Sequence, residues 1–157
     1  MEQNSLNALN NKKKLEAYCA YQERCHKEVV AKLWSLGTNQ NEIDEIISHL
    51  ITSDFLNEER FSCSFARGKH RIKNWGKVRI VNELKFRNIS SRNIATALKE
   101  LNLEEYFEAF EKLSIRVWES ISEKNSLKKR KKFCDYLLRK GWESDWIYAK
   151  AKEFENL

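Results

Sequence analysis

The sequence predicts an all-α protein, a tandem array of three three-helix repeats with an elongated or curved shape. Three observations carry this expectation. The 157 residues include no proline and only four glycines, Gly37, Gly68, Gly76 and Gly141, which leaves little to build tight hairpins or interrupt helices. Apolar residues recur at helical spacing through most of the chain, the mark of helices that each bury one face. The chain also repeats itself. Aligning Leu33, Leu84 and Leu137, at offsets of 51 and 53 residues, brings further positions into register. Val30, Val81 and Cys134 precede the leucines, and Ile43, Ile94 and Ile147 follow them, as do Leu50, Leu101 and Phe154. Gly37, Asn88 and Gly141 also align, and these residue types best adopt the left-handed conformation that ends a helix.

Residues 1–11 are polar and Asn-rich and read as a loose tail. Residues 12–54 form the first repeat, with one helix carrying Leu15, Tyr18, Cys19 and Gln22, a second over Val29–Leu36 and a third over Glu42–Ile51. Asn39 and Glu42 have the N-cap and N3 spacing of a helix start. Residues 55–101 form a central basic repeat, whose long first helix is capped by Asn57. On that helix Phe65, Gly68 and Ile72 fall within about 40° of Phe61, and the four are expected to face the core. Arg60, Arg67 and Arg71 line up opposite them, with Lys69 and Lys73 on one flank. After Gly76 comes a helix with Val78, Ile80, Val81 and Leu84 on one arc and Arg79, Glu83 and Arg87 on the other. A third, starting near Ser90, carries Ile94, Ala97, Leu98 and Leu101.

Residues 102–157 form the third repeat. Asn102 and Glu105 open an apolar face of Tyr106, Phe107, Phe110, Leu113, Val117, Trp118 and Ile121. Asn125-Ser126 breaks that helix, Leu127–Lys140 forms the next, and Gly141 separates it from Trp142–Phe154. A unit of about 50 residues buries little alone, so stacked copies share apolar surface with their neighbours.

The net charge of +6 conceals an alternation along the chain. Residues 62–99 hold ten Lys/Arg against Glu83, a local +9, and residues 124–140 hold eight against Asp135, a local +7. Residues 33–59 hold six Asp/Glu and no Lys/Arg, and residues 100–123 hold seven acidic and two basic residues. Ordinary solvated helix faces account for one such block better than for the alternation. The four cysteines, Cys19, Cys25, Cys63 and Cys134, form no C-x-x-C pair and read as buried thiols of a reducing cytoplasm. Neither they nor the histidines have metal-ligand spacing, and no apolar run is long enough to cross a bilayer. No phosphate loop, H-E-x-x-H or G-x-S-x-G is present, and His70 has no carboxylate nearby in sequence. The expectation is a non-enzymatic protein without metal or cofactor.

Binding residues are easier to nominate. Arg60, Arg67 and Arg71 present guanidinium groups suited to phosphates or carboxylates, with Lys69, Lys73 and Lys77 beside them. Arg79 and Arg87 each stand four residues from Glu83 and could form surface pairs or contact a partner. Lys128, Lys129, Arg130, Lys131 and Lys132 cover every azimuth near a helix N-terminus, where the macrodipole opposes them, so they point to an anionic partner. Among the five tryptophans, Trp75 is the candidate for an exposed contact, while Trp142 and Trp146 are spaced for packing between helices.

These residues resemble the RecX family of bacterial regulatory proteins. The likeness runs through Leu56, Glu59-Arg60-Phe61, Phe65 and Arg67 to Gly76-x-x-Arg79-Ile80-x-x-Glu83-Leu84, which matches that family's G-x-x-R-I-x-x-E-L signature. Tyr21, Arg24, His26, Glu28, Lys32-Leu33 and Gly37 add to it, and it covers roughly residues 15–150. Asn88 stands where the family has glycine, Met1–Asn11 matches nothing, and the third repeat matches by pattern more than by residue. The resemblance implies a monomeric, cytoplasmic modulator of the RecA recombinase in recombination, DNA repair and the SOS response. Such a protein binds the groove of the RecA–DNA filament and limits its extension, strand exchange, ATPase and co-protease activities. It would contact single- and double-stranded DNA without sequence preference. Two other readings remain open from the residues: a nucleic-acid-binding helical module acting without RecA, and a helical scaffold for an acidic protein.

Overall fold

With no proline to stop helices, side-chain caps punctuate the chain. Asn39, Asn57, Ser90, Asn102 and Asn125 each accept a hydrogen bond from a backbone N–H of the turn they open, satisfying donors that the helix itself leaves unpaired. The structure, a computed structural model, describes residues 2–157, and all regular structure among them is helical. The helices are α1 (Glu2–Tyr21), α2 (His26–Ser35), α3 (Gln40–Thr52), α4 (Glu58–Lys73), α5 (Lys77–Phe86), α6 (Ser91–Leu98), α7 (Leu103–Ser120), α8 (Ser126–Lys140) and α9 (Ser144–Glu155). They fall into three units, α1–α3, α4–α6 and α7–α9, and the principal helix–helix contacts lie within units.

The repeat register is a packing register. Leu33, Leu84 and Leu137 are fully buried, with Ile43, Ile94 and Ile147 buried beside them. Gly37, Asn88 and Gly141 all adopt positive φ, at 74°, 59° and 86°, ending the middle helix of each unit in the left-handed conformation.

Two expectations need correction. Residues 2–11, read as a loose tail, continue α1, because nothing between Glu2 and Tyr21 breaks the helix once Leu15 and Cys19 anchor its far end; Met1 lies outside the described residues. The second concerns α4. Its buried residues are Phe61, Ser62, Cys63, Ala66 and His70, while Phe65 is half-buried and Ile72 is 77% exposed. The core face is therefore turned by about a third of a helical turn from the apolar stripe. Small Ser62 and Ala66 let α6 pack closely against α4, and that packing outweighs the stripe's hydrophobicity. Arg60 and Arg67 consequently flank the core rather than standing opposite it.

The units join in two different ways. The first keeps its own core around Leu15, Val29, Leu33, Ile43 and Leu50. The second and third share one, in which Ile80, Leu84, Phe110, Phe133 and Trp142 belong to a single cluster. Between the first and second units lie mostly polar contacts. His26 donates its backbone N–H to Glu58 (3.2 Å), Arg60 pairs with Glu23 (2.6 Å) and Lys27 donates to the Phe86 carbonyl (2.8 Å).

Candidate functional site

The second and third units meet backbone to backbone. Gly76 precedes α5 and offers no side-chain cap; carbonyls from the end of α8 serve instead. The Gly76 N–H donates to the Lys140 carbonyl (2.8 Å) and the Val78 N–H to the Gly141 carbonyl (3.0 Å), so the negative end of one helix dipole meets the positive end of another. A Cβ on Gly76 would collide with the Gly141 carbonyl, and one on Gly141 with Arg79. Aromatic side chains complete the joint. Trp142 donates from Nε1 to the Asn74 carbonyl (3.0 Å) and lies 4.6 Å, centroid to centroid, from the Tyr106 ring. The Tyr106 hydroxyl accepts the Lys77 N–H (2.9 Å) and donates to Glu143 (2.7 Å), and burial pushes its pKa well above the ordinary phenol value. His70, buried against Tyr106 and Trp142, directs Nδ1 to the Trp75 carbonyl (3.0 Å). Since a carbonyl can only accept, Nδ1 carries the proton, and this histidine is held in a packing role.

Around this joint the nominated cations separate into groups. Arg60, Arg67 and Arg87 are engaged. Arg60 binds Glu23 and Asp54 (2.6 and 3.1 Å), Arg67 binds Glu100 (3.1 Å) and Arg87 binds Glu83 (2.8 Å). Arg87 is also stacked on Phe65 at 4.8 Å. The azimuth of α4 explains the first two, because a guanidinium beside the core meets carboxylates from adjoining elements. Arg71 is exposed on the same helix. Trp75, expected to be exposed, is half-buried against Phe65, with Arg79 over its ring at 4.1 Å and Lys69 at 5.1 Å. Lys77 lies over Tyr106 at 4.6 Å.

The run at the start of α8 is partly neutralised: Arg130 pairs with Glu155 (2.9 Å), Lys131 with Asp135 (2.7 Å) and Lys132 with Glu123 (3.4 Å). Lys129 lies over Trp118 and Lys128 is exposed. Lys128 and Lys140 sit at opposite ends of α8, separated by about 18 Å at the helical rise.

The residues brought together without compensation are Lys73, Arg79, Arg116 and Lys140. Lys140 donates from Nζ to the Lys73 carbonyl (3.1 Å), and Arg79 from Nη1 to the Arg139 carbonyl (3.0 Å). Among the described residues none of the four has a carboxylate within 4.0 Å. Burial first, and then the charges of Arg79, Lys73 and Arg116, hold the Lys140 pKa below the usual lysine value. Of these four, Arg116 also lines a groove of about 420 Å³ between α7 and α8, with Ser120, Ile121, Lys132, Tyr136 and Arg139. Arg116, Arg139 and Lys140 were not nominated from the sequence. They lie 37 to 61 residues from Arg79, and no local pattern announces that the end of α8 meets the start of α5. Among the described residues no group of acidic, His or Cys side chains could hold a metal ion, and the four cysteines are free and buried.

Comparison with known proteins places these units. Residues 57–98 match the family model of the RecX second three-helix domain, and residues 104–150 that of the RecX third three-helix domain. The chain belongs to the RecX family. The matches fall on α4–α6 and α7–α9, so the joint of this RecX-family chain lies between its second and third domains. Regulatory protein RecX of Finegoldia magna is 28% identical over 132 residues, covering 82% of this chain and 63% of that protein. Its counterpart in Clostridium acetobutylicum is 29% identical over 134 residues, covering 83% and 62%. That of Bacillus licheniformis is 27% identical over 146 residues, covering 92% and 56%. The chain thus spans a little over half the length of these relatives. The crystal structure of RecX from Lactobacillus salivarius superposes with a TM-score of 0.78 at 25% identity, over 98% of this chain and 99% of that one. A second crystal structure, of a regulatory protein RecX, gives 0.81 at 20% identity, over 94% and 73%. No helix among the described residues is long and apolar enough to cross a membrane.

Proposed function

We propose that this RecX-family chain is a non-enzymatic regulator that binds RecA filaments on DNA as a monomer and inhibits their recombinase, ATPase and co-protease activities. Residues 12–54, 55–101 and 102–157 would serve as its three repeats. The observation that carries the reading is the uncompensated positive charge at the joint of the second and third units, in a family whose relatives are named regulatory proteins. Gathering like charges without carboxylate partners does nothing for a fold; an anionic partner makes use of them. A nucleoprotein filament offers phosphate and acidic side chains together, and the units with acidic as well as basic faces suit such a mixed surface.

The test is the ATPase of the cognate RecA on single-stranded DNA, followed as this protein is added. Dose-dependent inhibition is expected. An unchanged rate at saturating protein would remove RecA from the account. Tight binding to bare DNA in that case would favour a nucleic-acid-binding module acting alone, a reading also favoured by the free cations at the joint.

A further inference from the structure

We propose that the joint between the second and third units is a phosphodiester-binding site, at which Lys73, Arg79, Arg116 and Lys140 grip the backbone of a single nucleic-acid strand entering the α7–α8 groove. It deepens the proposed function by giving the contact with nucleic acid a place, and it rests on that reading.

The donors are already oriented. Arg79 is braced by the Trp75 ring on one side and the Arg139 carbonyl on the other (4.1 and 3.0 Å). Five N–H donors belong to a guanidinium, so one fixed contact leaves a fork available for phosphate oxygens. Lys140 spends one ammonium donor on the Lys73 carbonyl (3.1 Å) and keeps the others. Neither anchor is a carboxylate, so the positive charge remains for a ligand. The rigidity comes from the glycine contact beneath: Gly76 and Gly141 bring α5 and α8 so close that Arg79 and Lys140 cannot drift apart. The groove continues the chemistry, with Arg116 and Arg139 for further phosphates and Tyr136 as a ring on which a base can stack. Glu105 and Glu108 line a second groove together with Arg116, Asn74 and Lys112, and their carboxylates would turn a strand away from that groove. Burial first and repulsion second lower the Lys140 pKa; an anion among these cations relieves the repulsion, so binding draws that pKa back up.

The experiment measures binding of a fluorescent single-stranded oligonucleotide to the full chain across a salt series. Each phosphate contact to a single strand contributes about 0.7 to the slope of log K against log salt. A Lys73→Gln, Lys140→Gln variant is expected to reduce the slope by about 1.4, whereas Lys13→Gln, Lys14→Gln on α1, with the same change in net charge, leaves it unaltered. Lys140→Arg should restore the Lys140 contribution, which also shows that the loss does not come from misfolding. Equal loss in both double variants means diffuse attraction and overturns the site, as does an unchanged slope or a wild-type protein that does not bind the strand. A second arm follows the Lys140 Cε resonance with pH. The oligonucleotide should raise its midpoint; inorganic phosphate at the same phosphate concentration should not. An equal response to both would make this a small-anion site and overturn the strand assignment. If the joint variants bind DNA like wild type while wild type still inhibits RecA ATPase, this site fails and the regulatory reading stands.

Discussion

Replacing Gly76 by alanine isolates the joint from every other property of the fold. Its φ and ψ, −80° and 172°, are open to any residue, so the substitution introduces no backbone strain. The added methyl would instead meet the Gly141 carbonyl oxygen, with the Gly141 carbonyl carbon at 2.6 Å and the Trp142 Cα at 2.7 Å. All are main chain, and none can turn aside as a long side chain would. Relief requires α5 to move off the end of α8. That movement breaks the Gly76 N–H to Lys140 and Val78 N–H to Gly141 hydrogen bonds, worth about 0.5–1.5 kcal/mol each. Overpacking adds about 1–3 kcal/mol, and the lower entropy of the unfolded alanine chain returns about 0.4–1 kcal/mol. The net loss is about 1–6 kcal/mol, read from urea unfolding followed by circular dichroism. Two other glycines calibrate it, since a methyl on either meets nothing within 4 Å. Gly37→Ala meets only its φ of 74° and should cost about 1–2 kcal/mol. Gly68→Ala, inside α4, should stabilise by about 0.5–1 kcal/mol. A Gly76→Ala protein as stable as Gly68→Ala would refute the backbone-sealed joint.

Leu84→Ala should destabilise by about 2–5 kcal/mol, with Leu33→Ala and Leu137→Ala alike, because all three are fully buried at one register position; unfolding midpoints equal to wild type would break the register. Arg60→Ala removes the pairs to Glu23 and Asp54 between the first and second units. Since these groups are partly solvated, the loss should be about 1 kcal/mol or less and should shrink in high salt; a loss independent of salt would contradict an ionic joint. Burial holds the thiols of Cys19, Cys25, Cys63 and Cys134 above their ordinary 9.0. Below about pH 8 they are protonated folded or unfolded and add no pH dependence. Higher up, the unfolded thiols ionise before the folded ones, so their contribution to stability falls as pH rises. Native protein should therefore resist thiol reagents at neutral pH and lose an alkaline decline in stability when all four become serine or alanine; rapid native labelling would contradict their burial.

What the sequence determined by itself was everything decided within a turn or two of helix. The caps at Asn39, Asn57, Ser90, Asn102 and Asn125 reach N–H groups two or three residues away. The left-handed stops at Gly37, Asn88 and Gly141 depend on one residue's φ. Both are legible without knowing the fold, and the repeat register followed because each unit solves the same local problem. Membership of the RecX family was legible too, since Gly76, Arg79 and Glu83 keep their spacing along one helix. Tertiary structure decided the azimuth of α4, because a helix with Phe61 and Ile72 on one side and Ser62 and Ala66 on another turns toward whatever neighbour fits. It also decided which cations are left over. Long side chains choose partners by proximity in space, so Arg60 and Arg67 were claimed by Glu23 and Glu100, 37 and 33 residues away. Lys140 instead came to rest beside Lys73 and Arg79. Helical periodicity has no information on such meetings, which arise only when two glycine backbones touch.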